Sequence, residues 1–172
     1  MIRKCSPSEF NTIYDIINNA AQAYKGIIPE DRWHEPYMTR EELENEIQNG
    51  ILFWGFEEAG RILGVMGIQD KGEVTLIRHS YVLTEFQRRG IGTRLLRRLE
   101  SITHKPILIG TWAHAWWAVS FYRKNGFTLL PHEQRDQVLR TYWSIPERQV
   151  ETSVVLADRK WMKTQAGITG VS

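Results

Sequence analysis

The sequence predicts a mixed α/β domain, and three observations carry that reading. The chain opens on a capped amphipathic helix, two apolar runs then meet across a short turn, and a third apolar run enters a glycine-bearing turn that starts another helix. At the first of these, Ser6-Pro7-Ser8-Glu9 combines a cap, a proline in the first turn and a capping-box glutamate. Phe10, Ile13, Ile16, Ile17 and Ala20 follow on one stripe, so a helix is expected over 7–23. After a break at 26–29 and an aromatic loop from Trp33 to Met38, Thr39-Arg40-Glu41-Glu42 reads as the cap of a second helix ending near Gly50.

Runs 51–57 and 61–68, separated by Glu58-Ala59-Gly60, predict a hairpin, and 74–83 predicts the next strand. From Gly90, Ile91, Leu95, Leu96, Leu99 and Ile102 recur at helical spacing with arginines on the opposite face. A short strand is expected at 107–109, a helix over 115–125 stopped by Gly126, and two closing strands over 138–143 and 149–156. Residues 1–163 thus form a single domain without repeats or linkers, and 164–172 are expected to be a flexible tail.

Bulk properties set limits. At 172 residues, 42% hydrophobic and 24% charged, the chain suits one compact globular domain. Its net charge is only +2, and the one basic cluster, Arg88 to Arg98, fits cofactor phosphates and a solvated helix face better than nucleic acid. A lone Cys5 leaves no intramolecular disulfide and no multi-cysteine metal site, so no metal is expected. With no signal-like apolar run and no segment near the ~18 apolar residues of a membrane span, a soluble cytoplasmic protein without a membrane partner is expected.

The densest information lies in Val82-Leu83-Thr84-Glu85-Phe86-Gln87-Arg88-Arg89-Gly90-Ile91-Gly92-Thr93. A helix start leaves backbone N–H groups unpaired and carries partial positive charge, which attracts phosphate oxygens. Gly90 and Gly92 let a ligand approach those amides, and Arg88 and Arg89 add charge. Gly92 is followed by Thr93-Arg94, which excludes a Walker A loop, and Leu95 stands where a dinucleotide fingerprint wants its third glycine.

Gln87-Arg88-Arg89-Gly90-Ile91-Gly92 resembles the acyl-CoA signature of the GNAT superfamily of N-acetyltransferases. Ala118-Val119-Ser120-Phe121-Tyr122-Arg123-Lys124-Asn125-Gly126-Phe127 is similar to the second motif of that family. The resemblance implies a sheet of about six to seven mostly antiparallel strands, flanked by about four helices. Its central strands, here 74–83 and 106–111, would splay to admit the pantetheine arm. It also implies acetyl-CoA as cosubstrate, held by Tyr81, Val82, Leu83, the run Gln87, Arg88, Arg89, Gly90, Ile91, Gly92, Thr93, and Ser120, Tyr122 and Arg123. Ala115 occupies the place of an asparagine that many members use to hold the cofactor, with His114 beside it to compensate or to face the substrate.

Acetyl transfer to an amine requires loss of an ammonium proton, stabilisation of charge on the thioester oxygen and protonation of the departing thiolate. The resemblance assigns the last task to Tyr122 as general acid and the second to a backbone N–H near Val82. His79 and Glu35 are rival bases, and Glu73 is a weaker one. Strand alternation would put His79 and Tyr81 on one face, Arg78 and Ser80 on the other. Trp33, Glu35, Tyr37, His79, Trp112 and His114 are candidate acceptor-binding residues. Trp116, Trp117 and segment 142–149 could join them or form a homodimer contact. A small-molecule amine is the favoured acceptor. A protein or peptide amine, and a non-catalytic acyl-CoA sensor that keeps 87–93 without needing Tyr122, are the alternatives.

Overall fold

The computed structural model describes residues 1–169. Strands β1 (Ile2–Lys4), β2 (Leu52–Glu58), β3 (Arg61–Asp70), β4 (Thr75–Val82), β5 (Ile107–Trp112), β6 (Thr128–Leu129) and β7 (Ser153–Ala157) form one sheet in the order β1-β2-β3-β4-β5-β7-β6. Every neighbouring pair is antiparallel except β4 with β5. The helices are α1 (Phe10–Ala20), α2 (Arg40–Gln48), α3 (Ile91–Ile102), α4 (Trp116–Lys124), α5 (His132–Tyr142), α6 (Glu147–Glu151) and α7 (Arg159–Thr169). Among the described residues, none is long and apolar enough to cross a membrane.

Local signals explain the first half. Short 3-10 turns at Pro7–Glu9 and Ala21–Tyr24 extend α1 into one helical run, and Glu9 accepts a 2.7 Å hydrogen bond from the Ser6 N–H. Thr39 caps α2 by accepting from the Glu42 N–H, while Glu42 accepts from the Thr39 N–H. Alternate strand residues serve opposite layers. Leu76, Leu108 and Val155 pack with Val138 and Leu139 of α5, whereas Ile77, Ile109 and Leu156 pack in the cluster that holds Leu95, Leu96 and Leu99 of α3.

The C-terminal third departs from the sequence reading. Of residues 138–143, expected as a strand, 138–142 belong to α5 and Trp143 caps its end, because Arg135, Val138, Leu139 and Tyr142 recur at helical spacing after Pro131. Arg135 is buried and donates to the Ser153 carbonyl at 3.2 Å, tying α5 to β7. The run expected as one strand at 149–156 splits between α6, which follows Pro146, and β7. These additions bring α5, α6 and α7 to the four expected helices, and the short β1 and β6 to the sheet. The tail expected to be flexible after Lys163 is helical to Thr169, and 170–172 lie outside the described residues.

Candidate active site

Pairing between β4 and β5 holds only at Thr75, Leu76 and Ile77 against Ile107, Leu108 and Ile109. Beyond it the two strands part, and two cavities open on the gap. The larger, about 590 Å³, is walled by Val82, Gln87, Arg88, the turn Gly90 to Thr93, and Trp116, Trp117 and Phe121. The smaller, about 110 Å³, is walled by Tyr37, Arg78, His79, Thr111, Trp112 and Trp143. Tyr24, Ser80, Tyr81, Ala118 and Tyr122 line both, so they form the neck of one passage through the sheet.

The large cavity is built from backbone. Arg88 (φ 65°) and Gly90 (φ 78°) are both left-handed, which folds the chain tightly into α3. The Arg94 N–H is bonded to the Gly90 carbonyl, so the preceding amides of Ile91, Gly92 and Thr93 are the helix's unpaired first turn and border the cavity. With Arg88 in the same lining, these amides suit a linked pair of phosphates. The Gln87 amide donates to the Val82 carbonyl at 3.1 Å and pins the turn to β4. Leu83 donates its N–H to the Leu63 carbonyl, and Val82 stands opposite Gly64. In an antiparallel ladder the neighbour of such a residue turns its N–H the other way, so Val82 presents its own towards the gap.

The small cavity is built from side chains. Val65 pairs with Tyr81 and Gly67 with Arg78, so His79 and Ser80 together oppose Met66 in a bulge, with His79 at φ 56°. The bulge breaks the alternation expected from sequence. Arg78 and His79 both reach Glu46 of α2, with His79 Nε2 at 2.6 Å and Arg78 Nη1 at 3.2 Å from the same Oε2. Burial pushes the His79 imidazole below its ordinary value, with the Glu46 hydrogen bond opposing it. Burial works against the Glu46 carboxylate, but the His79 bond and the neighbouring positive charge outweigh it and hold its pKa below the usual range.

Four tyrosines surround the neck. Burial pushes the Tyr122 phenol up to about 12, with the Ser80 hydroxyl pulling the other way. Burial likewise raises Tyr24, Tyr37 and Tyr81, so all four are protonated near neutral pH. Tyr37 accepts a 2.8 Å hydrogen bond from the Trp112 indole, and Trp33 stacks on Tyr37 at 6.0 Å. Trp117 stacks on Tyr24, and Trp116 meets Trp117 edge-on. Both of these tryptophans line the large cavity rather than the small one.

Of the residues singled out from sequence, Tyr81, Val82, Gln87, Arg88, Gly90, Ile91, Gly92, Thr93 and Tyr122 line the large cavity, and Tyr37, His79 and Trp112 line the small one. Others lie outside both linings. Leu83 is buried in the core just past the end of β4, and Arg89 pairs with Glu58 at 3.1 Å. Ser120 and Arg123 are on α4, His114 is exposed before it, and Trp33 stands behind Tyr37. Glu35 is half-exposed and pairs with Lys25, and Glu73 accepts from Tyr142. Sequence reasoning missed Glu46, Tyr24 and Thr111. A signal existed for two of them: Glu46 follows the buried Leu43 by three residues on α2, and Tyr24 extends the buried stripe of α1 past Ala20.

A family model described as an acetyltransferase (GNAT) domain matches residues 7–142. Among solved structures, the chain is similar to the PaiA N-acetyltransferase of Thermoplasma acidophilum in complex with coenzyme A. The TM-score is 0.69 at 22% identity, covering 92% of this chain and 97% of that one. A GNAT-family acetyltransferase of Staphylococcus aureus Mu50 gives TM-score 0.65 at 18% identity over 92% and 97%. The N-acetylglutamate synthase of Neisseria gonorrhoeae, complexed with coenzyme A and N-acetyl-glutamate, gives 0.63 at 19% over 93% of this chain and 35% of that one. A search of curated proteins by sequence found no match. The family match spans most of the chain and falls on a sheet parted between its two parallel strands: the chain belongs to the GNAT family and is an acyl-CoA-dependent N-acetyltransferase.

Proposed function

We propose that the protein transfers an acetyl group from acetyl-CoA to the primary amine of a small-molecule acceptor, with both substrates bound at once. The single observation that carries this reading is the shared neck, where a ligand entering from the glycine turn and one entering beside the bulge meet against Tyr122. The amides of Ile91, Gly92 and Thr93 and the Arg88 guanidinium would hold the diphosphate, and the tryptophan pair of α4 would wall the arm. Bound acetyl-CoA supplies the thioester that the amine attacks.

His79 is the base in this reading. With Nε2–H directed at Glu46, its neutral tautomer leaves Nδ1 to accept the ammonium proton, and the carboxylate stabilises the imidazolium that results. The N–H of Val82 serves the developing negative oxygen. Tyr122, held protonated by burial, donates to the departing sulfur. The small volume on the acceptor side favours a small molecule over a polypeptide segment.

Acceptor-dependent CoA release by Tyr122→Phe is the test. A loss of about a hundredfold in turnover, with thermal stabilisation by acetyl-CoA retained, supports the role of the neck. Turnover within about threefold of the unaltered protein would remove Tyr122 from the chemistry.

A further inference from the structure

Arg78 is the only charged residue among the described walls of the small cavity, and its surroundings leave most of its binding capacity unspent. Its side chain is 19% exposed, and the one ion pair described for it is with Glu46, whose Oε2 lies 3.2 Å from Nη1. That carboxylate is shared, since the same oxygen holds His79 at 2.6 Å. A guanidinium carries five N–H donors in a planar fork, and a largely buried one with a single divided counter-charge is under-compensated. No Asp or Glu joins the described lining, so an acceptor bearing a second ammonium would find no carboxylate facing it there.

The geometry points to an acceptor that carries its own carboxylate: a small amino acid, seated with that carboxylate on the fork of Arg78 and its amine towards His79. The inference rests on the acetyl-transfer reading of the site and deepens it. Arg78 and His79 are consecutive, and the bulge turns both to one side, so a group held by the first brings its neighbouring atoms to the second. Planar carboxylate matches guanidinium in a two-point contact that a lone ammonium or an amide cannot make. The aromatic walls, Tyr37, Trp112 and Trp143, leave room for a short or flat side chain.

The test compares matched acceptors in the CoA-release assay: several amino acids, each beside its carboxamide and its decarboxylated amine. The expected result is that kcat/KM for the amino acid exceeds that of both partners by about tenfold or more. Arg78→Gln should shrink that ratio towards one, and Arg78→Lys, which keeps a positive charge beside Glu46, should leave an intermediate ratio. Stabilisation of each variant by acetyl-CoA certifies that it is folded. Equal or better use of the decarboxylated amines or the carboxamides overturns the inference while acetyl transfer stands. So does a ratio that Arg78→Gln does not change. If protein stabilised by acetyl-CoA releases CoA with none of the acceptors, the transfer reading and the inference fall together.

Discussion

The cavity at the glycine turn and the cavity at the bulge share a neck but are assembled in different ways. Apart from the shared neck and the tryptophans of α4, the first draws its polar groups from one continuous run, residues 82 to 93, which includes the backbone amides at the start of α3. The second draws on Tyr37, Arg78, Thr111, Trp112, Trp143, Gln149 and Ser153, side chains delivered by loops, strands and helices far apart in the chain. A carrier's diphosphate is a constant ligand, and main-chain donors at a helix start meet it with little dependence on side-chain identity. An acceptor is particular, and recognising it calls for individual side chains placed by distant elements.

If the two halves divide the labour in this way, substitutions around the bulge act on turnover and those around the turn act on acetyl-CoA binding. The largest effect is expected for His79→Gln, which removes the proposed base and should lower kcat by about a hundredfold or more, with acetyl-CoA stabilisation retained. In the unaltered protein the acid limb of kcat should fall below pH 6.5, because burial lowers the His79 pKa and the base is lost only when the ring is protonated. Gly67→Ala comes next. A Cβ there would lie 2.8 Å from both the Arg78 carbonyl and Ile51 Cγ2, so it should destabilise the fold by about 1–3 kcal/mol in denaturant titration and disturb the bulge. Glu46→Gln should cost about tenfold in kcat. It should also move the acid limb to lower pH, since Glu46 raises the His79 pKa and its removal lets burial act unopposed. The smallest effect is expected on the other side. Arg88→Ala should raise the KM for acetyl-CoA severalfold with a smaller change in kcat, because three backbone amides remain. A kcat loss in Arg88→Ala as large as in His79→Gln would break the division.

How much was legible in the sequence follows the same line. The strand, turn and helix around Gly90 are local, so residue order alone placed them, and Tyr122 lies in a compact motif at a fixed distance from Gly126 and Phe127. His79 could be named, but not its setting. A strand read by strict alternation separates Arg78 from His79, whereas the bulge opposite Met66 joins them on Glu46, thirty-three residues from His79. Glu35 stood out as a carboxylate in an aromatic loop, whereas Glu46 is one of several acidic residues on α2, and only packing separates the exposed partner of Lys25 from the half-buried partner of His79. One wall of the smaller cavity was hidden because the apolar pattern Val138, Leu139, Tyr142, Trp143 suits a short buried strand as well as one helix face.

The passage through the parted strands is the central claim, and a crystal structure with acetyl-CoA bound tests it most directly. The account predicts phosphate oxygens within hydrogen-bonding distance of the Ile91, Gly92 and Thr93 amides, the thioester oxygen at the Val82 N–H, and sulfur against the Tyr122 hydroxyl. A thioester that stops short of Tyr122, or phosphates bound away from the start of α3, would contradict it.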